Sequence, residues 1–149
     1  MITIRCTRSR GPRGFFCLQV DRRGPVIVDV ITLNQSCMNI SFKNNQLTVG
    51  DSLWTVERPV VAARILEERV FVVFDWMTYK PNYAPAYNLE AFDLDRNRLW
   101  RVSEHPISGG ALAYTGFAQS DDLLVYHFAG YVCQFDPCNG KLLESVFTK

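Results

Sequence analysis

Apolar and polar residues alternate in short runs along this chain, and turn-forming residues separate the runs. Alternation with a period of two, bounded by Gly, Pro, Asn and Asp, predicts β-strands. No stretch has a convincing helical period. The predicted strands are residues 1–6, 14–20, 25–33, 38–42, 46–49, 53–56, 60–68, 70–76, 111–117, 123–128, 131–135 and 142–147, together with both arms of a hairpin at 88–102.

The run from Val60 to Glu68 fits two secondary structures. Its alanine, leucine and glutamate residues favour a helix, whereas Val60, Val61 and Ile65 favour a strand. We predict a strand, because Glu68-Arg69 can turn the chain directly into the apolar run that begins at Val70.

The hairpin at 88–102 recurs without a gap 43 positions later, which is a spacing typical of stacked structural repeats. Asp93 and Asp136 can both accept backbone N–H bonds in a turn, so each copy is predicted to be strand, turn, strand. The aligned pairs are Phe92 with Phe135, Asp93 with Asp136, Asn97 with Gly140, Arg98 with Lys141, Leu99 with Leu142, and Trp100 with Leu143.

Apolar residues occupy both faces of these strands, as Leu99 and Trp100 illustrate. A sheet with one solvated face would alternate cleanly, so we predict that another sheet covers each side. Leu53-Trp54-Thr55-Val56 repeats the pattern of Leu99-Trp100-Arg101-Val102 over four residues.

The segment Phe135-Asp-Pro-Cys-Asn-Gly-Lys-Leu-Leu143 resembles the alanine-leucine-aspartate, threonine-glycine-lysine, tryptophan hairpin of quinoprotein-type β-propeller blades, and residues 92–100 are similar to it. Gln134 stands in place of the alanine and Leu143 in place of the tryptophan. The resemblance implies blade-like sheets, but the chain is too short for the four blades of a closed ring. We therefore predict an all-β fold of antiparallel hairpins in blade-like sheets, arranged as an incomplete propeller, a sandwich or a small barrel, with no cofactor.

Composition fits one domain over residues 1–149, since 48% of the residues are hydrophobic. The net charge is +1, so no global field steers the chain towards nucleic acid or membrane. Five cysteines in a chain without a secretory h-region predict a cytoplasmic protein with free thiols. No apolar run is long enough to cross a bilayer.

An irregular loop at 77–87 carries three tyrosines and two prolines, and long loops of this kind are often functional. Aromatic side chains supply large contact areas at low entropic cost, so the loop is a candidate recognition surface. Alternatively, its prolines stiffen a crossing and its tyrosines only cover the domain. The candidate binding residues are Asp75, Trp76, Tyr79, Lys80, Tyr83 and Tyr87.

Two other classes of ligand stay open. A small molecule could bind, with or without turnover, in an aromatic pocket rimmed by Tyr79, Tyr114 and His127. Nucleic acid is a weaker alternative, because charges at the start of the chain also protect edge strands. The arginines that would contact phosphate are Arg5, Arg8, Arg10 and Arg13.

Residues for catalysis or metal binding form no recognisable motif. His105 precedes a proline, His127 lies within a strand, and the spacing of Cys133 and Cys138 matches no zinc knuckle. We therefore predict no catalytic residues and no metal. The favoured function is a non-catalytic binding protein of the small bacterial kind that neutralises or scaffolds another protein, or that self-associates as a homodimer.

Overall fold

The computed structural model describes residues 5–6, 17–18, 20–21, 24–25, 38–79 and 86–148. Contacts divide the chain into two units, residues 1–37 and 38–149. In the first unit, β1 (Arg5–Cys6) pairs with β2 (Cys17–Leu18), and β3 (Val20–Asp21) pairs with β4 (Gly24–Pro25). The antiparallel pairing of β3 with β4 lies where the predicted strands 14–20 and 25–33 meet.

The second unit contains three antiparallel sheets. Sheet I consists of β5 (Ile40–Lys43), β6 (Gln46–Val49) and β7 (Ser52–Thr55). Sheet II consists of β8 (Val60–Leu66), β9 (Arg69–Phe74), β10 (Leu89–Phe92) and β11 (Arg98–Arg101). Sheet III consists of β12 (Tyr114–Phe117), β13 (Leu123–His127), β14 (Tyr131–Phe135) and β15 (Leu142–Phe147). A 3₁₀ helix, η1 (Trp76–Thr78), follows β9.

These sheets confirm the all-β prediction and the choice of a strand after Val60. Each sheet is an up-and-down meander, and β8 lies beside β5 on one side and β12 on the other. The three sheets are not closed into a barrel, so the small-barrel alternative is wrong. Within the described residues, no helix is long and apolar enough to cross a membrane.

Sheet II is the middle layer and is covered on both faces. Alternate residues of β9 enter two different cores: Val70 and Val72 pack between sheets I and II, whereas Phe71 and Val73 pack between sheets II and III. In the first hairpin, Leu89 and Ala91 enter the core between sheets II and III and Phe92 packs on the core between sheets I and II, which confirms for β10 the prediction of cover on both sides. The prediction is wrong for β11, where Leu99 is 43% exposed.

Sheet III is buried on one face only, which corrects the same prediction for the second hairpin. Its inner face packs Val125 and Phe135 against sheet II, while on its outer face Tyr126 and Val146 are 46% and 51% exposed. Among the described residues, nothing packs as a fourth layer against this outer face.

The two hairpins match with one inserted residue, not without a gap as predicted. Asp93 closes its turn on Asn97, whereas Asp136 closes on Lys141, so the second turn is longer. Ala91 therefore pairs with Trp100, but Gln134 pairs with Glu144. The structural counterpart of Trp100 is consequently Glu144, and Leu143 corresponds to Leu99.

Candidate functional site

Several hydrogen bonds hold the backbone of the turn after β9. The Asp75 N–H donates to the Pro59 carbonyl at 2.8 Å, and the Asp75 carboxylate accepts the Met77 N–H at 2.9 Å. Arg58 donates from Nη1 to the Thr78 carbonyl, also at 2.9 Å. An aspartate in the N-cap position explains why η1 starts at Trp76.

This fixed turn presents large apolar side chains to solvent. Met77 is 73% exposed and Trp76 is 37% exposed. The Trp76 ring lies 5.7 Å from the ring of Phe128, which is itself 49% exposed at the end of β13. We call Trp76, Met77 and Phe128 the aromatic patch.

Tyr79 points away from the aromatic patch and packs in the core between sheets I and II. The Arg58 guanidinium lies 4.1 Å from the centre of its ring, and its hydroxyl donates to the Tyr87 carbonyl at 3.4 Å. Burial raises the pKa of the Tyr79 hydroxyl. Tyr79 therefore helps to anchor the loop.

A buried polar layer lies near the start of β10 and joins sheets II and III. The fully buried Asn88 side chain donates to the carbonyls of Phe74 and Tyr114, both at 2.8 Å, and accepts the Tyr114 N–H at 2.9 Å. Tyr114 is also fully buried, and its hydroxyl donates to the Glu104 carbonyl at 2.7 Å. Burial raises the pKa of this hydroxyl.

The two histidines of the chain meet in this layer. His127 Nδ1 accepts the Ala129 N–H at 3.2 Å, so its proton lies on Nε2, which is 3.0 Å from His105 Nδ1. The His105 ring stacks on the Tyr114 ring, with their centres 5.1 Å apart. The centre of the Tyr87 ring lies 5.4 Å from that of His105. Burial, together with the neighbouring His127, lowers the pKa of His105 to about 4, and burial also lowers the pKa of His127. Both rings are neutral at pH 7.

The predicted site residues separate into two groups. Tyr114 and His127 come together, while Tyr79 packs on the opposite side of sheet II, so these three residues do not rim one pocket. Arg5 lies in β1. The other candidates, namely Lys80, Tyr83, Arg8, Arg10 and Arg13, lie outside the described residues.

Two residues of the aromatic patch were missed in the sequence. Met77 and Phe128 carry no motif, and only the fold brings Phe128 next to Trp76. The available signal was the Ala129-Gly130 turn, which places Phe128 at a strand end.

Cys133 and Cys138 are free thiols. Cys133 is buried among apolar side chains, which raises its pKa to about 11, whereas Cys138 is exposed in the turn before β15. In residues 38–79 and 86–148, no group of three His, Cys, Asp or Glu side chains is placed to hold a metal ion.

Comparisons with known proteins place the second unit in one family. No match was found among curated proteins or among solved structures. The model of a family described as a domain of unknown function, DUF7957, matches residues 37–147, which are the three sheets and their connections. The chain therefore belongs to the DUF7957 family.

Proposed function

We propose that this chain is a non-catalytic binding module that recognises another protein through the aromatic patch. The observation that carries the proposal is the pairing of exposed Trp76 with exposed Phe128 beside the most exposed apolar side chain of the described chain, Met77. Aromatic residues and methionine are enriched where proteins bind each other.

The hydrogen bonds beneath the patch support this proposal. The Asp75 cap and the Arg58 contact with Thr78 hold the backbone that carries Trp76 and Met77. A surface that is already ordered loses less conformational entropy when it binds, so more of its contact energy appears as affinity.

The histidine layer supports a non-catalytic role. His105 and His127 use ring nitrogens on each other, and at neutral pH both are uncharged. A general base needs a ring nitrogen that reaches a substrate proton, whereas here His105 Nδ1 and both His127 nitrogens are hydrogen-bonded and His105 Nε2 is buried.

The order of strands in the sheets also bears on the origin of this binding module. We infer that the sheets descend from blades of the quinoprotein-type propeller, because sheets II and III share a four-stranded order and matching hairpins. We also place the protein in a bacterial cytoplasm, where free thiols such as Cys133 persist. There it would neutralise or scaffold its partner, and self-association is the case in which the partner is a second copy.

Quantitative co-purification of the full chain from native extract tests the proposal. Trp76→Ser should weaken capture of a specific partner by about 30-fold or more, since truncating an aromatic hot spot costs ~2 kcal/mol. Leu53→Ser is the matched control, because Leu53 is also exposed but lies on sheet I. A partner retained equally by both variants would contradict the proposal.

A further inference from the structure

Two tryptophans occupy equivalent places at the two interfaces of sheet II. Trp54 lies in the last strand of sheet I and packs against sheet II, and Trp100 lies in the last strand of sheet II and packs against sheet III. Each tryptophan is buried beside the hairpin turn of the following sheet, residues 93–97 for Trp54 and 136–141 for Trp100. The short repeat seen in the sequence therefore marks a structural equivalence.

The Trp100 junction is closed. Its indole N–H donates to the Pro137 carbonyl at 3.0 Å. Gly140 lies directly against the ring, and a Cβ on this residue would overlap three of the ring carbons. The turn thus accepts the hydrogen bond of the indole N–H and covers the ring surface.

The Trp54 junction is open. Trp54 is 2% exposed, yet its indole N–H has no hydrogen-bond partner among the described residues. A pocket of about 190 Å³ lies beside it. The lining residues are Trp54, Thr55, Val56, Glu57, Phe74, Glu90, Phe92, Arg96 and Arg98.

The pocket also carries charges that the fold does not require. Glu90 is 5% exposed and accepts a hydrogen bond from Arg101 Nε at 2.6 Å, and Arg98 Nη1 lies 3.8 Å from the same carboxylate oxygen. Burial lowers the pKa of Arg101, but the hydrogen bond and charge of Glu90 outweigh burial and raise it. A buried carboxylate in a sheet costs desolvation energy, which the pairing with Arg101 and Arg98 offsets here.

The counterparts of these residues in sheet III are uncharged. Register places Cys133 at the position of Glu90, Leu142 at that of Arg98, and Ser145 at that of Arg101. The same scaffold therefore packs in sheet III without these ion pairs.

The charge balance of the open junction favours an anion. The lining carries two arginines, Arg96 and Arg98, against two carboxylates, Glu57 and Glu90. Arg101 pairs with Glu90 from outside the lining, which leaves one positive charge in excess. Arg96 adopts a left-handed backbone conformation, with φ of 71°, and its guanidinium lies 5.9 Å from the centre of the Trp54 ring.

We propose that the pocket binds a small aromatic carboxylate. Its ring would pack among Trp54, Phe74 and Phe92, and its carboxylate would bind the guanidinium groups of Arg96 and Arg98. A dry cavity of ~150 Å³ admits benzene, so 190 Å³ accommodates one ring with a carboxylate.

Titration calorimetry of the full chain with benzoate, phenylacetate and 4-hydroxybenzoate tests this inference. We expect saturable binding of at least one of these carboxylates and much weaker binding of benzyl alcohol. Arg98→Gln should lower the affinity for the carboxylate roughly tenfold or more, as expected for a charged hydrogen bond. Trp54→Phe should also weaken carboxylate binding, whereas the matched variant Trp100→Phe should not.

Several results would overturn the inference. They are no saturable binding of any of the three carboxylates, binding unchanged in Arg98→Gln, or inorganic phosphate binding as tightly as benzoate, which would make the ring irrelevant. Because Arg98 is an exposed rim residue, its variant remains informative even if Trp54→Phe fails to fold. None of these outcomes depends on the aromatic patch, so this inference and the proposed protein partner succeed or fail separately.

Discussion

Sheet II has two interfaces, and they differ in how the tryptophan of the preceding layer meets the next hairpin turn. Trp100 donates to Pro137 and lies against Gly140, so the interface of sheets II and III is closed at this end. Trp54 meets Arg96 and Phe92, keeps an unpartnered N–H and leaves a pocket.

The two interfaces share some buried residues and differ at other positions. A buried apolar residue on the inner strands is present at both interfaces, as Val72 and its counterpart Val125 show. At one equivalent position, sheet II has the charged Glu90 and sheet III has the uncharged Cys133. Residues at such a position reflect function more than stability.

The largest expected effect breaks the closed interface. Gly140→Ala should lower the free energy of unfolding by about 2–4 kcal/mol, because φ of +72° is strained for alanine and the methyl group overlaps the Trp100 ring. Gly109→Ala is the control, since Gly109 also has positive φ but nothing lies within 4 Å of its Cβ position. Chemical denaturation should show a loss of only ~1 kcal/mol for this control. Equal losses would mean that Trp100 does not pack as described.

The next prediction concerns the open interface. Glu90→Gln should cost about 1–2 kcal/mol, because it leaves Arg101 and Arg98 facing a neutral group, and the exposure of both arginines limits the loss. Replacing Glu90, Arg98 and Arg101 together by the cysteine, leucine and serine of sheet III should cost less than Glu90→Gln alone. Urea unfolding of the single and triple variants compares their free energies of unfolding. If the triple variant is less stable than Glu90→Gln, the ion pairs stabilise the fold.

A smaller effect distinguishes the two indoles. Trp100→Phe should cost about 1–2 kcal/mol more than its loss of packing, because the Pro137 carbonyl loses its donor. Trp54→Phe has no such penalty, since its N–H has no partner in the described structure. Thermal unfolding of the two variants compares them directly, and a greater loss for Trp54→Phe would indicate that its N–H is bonded.

Acid should destabilise the closed interface more than the open one. The folded-state pKa values of His105 and His127 lie below the unfolded value near 6.5, so the unfolded chain binds more protons as pH falls. Stability should decrease from about pH 6.5 downwards, by at most ~1.4 kcal/mol per pH unit for each histidine, and the contribution of His105 should level off below its folded pKa of about 4. Solvent screening reduces the value for half-buried His105. His127→Phe, which introduces the sheet II counterpart Phe74, should flatten the profile, and an unchanged slope would exclude the histidine pair as its cause.

Most of the strands could be predicted from alternation and turn residues. The bounds of β6, β14 and β15 agree with prediction, because local signals such as the Lys43-Asn44-Asn45 turn and the Asp136 turn fix them. The one-residue insertion before β15 was not predictable, since Leu142 and Leu143 fit either alignment equally well. Only the pairing of Gln134 with Glu144 resolves it.

The candidate site was predictable only in part. Trp76 stood out as an aromatic beside a long loop, and the structure places it on the surface. The pocket at Trp54 was missed because its residues come from β7 and the segment after it, from β9, β10 and β11, and from the turn between β10 and β11, and they meet only when sheets I and II stack. A carboxylate such as Glu90 in an apolar strand was the one local signal.

The indole N–H resonances of the three tryptophans test most directly whether the interface at Trp54 is open and the one at Trp100 is closed. Trp54, Trp76 and Trp100 each give one cross-peak. Titrating the ¹⁵N-labelled chain with benzoate should shift the Trp54 peak, identified from Trp54→Phe, and leave the Trp100 peak in place. A Trp100 peak that moves as much as that of Trp54, or a Trp54 peak that does not move at saturating benzoate, would contradict an open first interface and a closed second one.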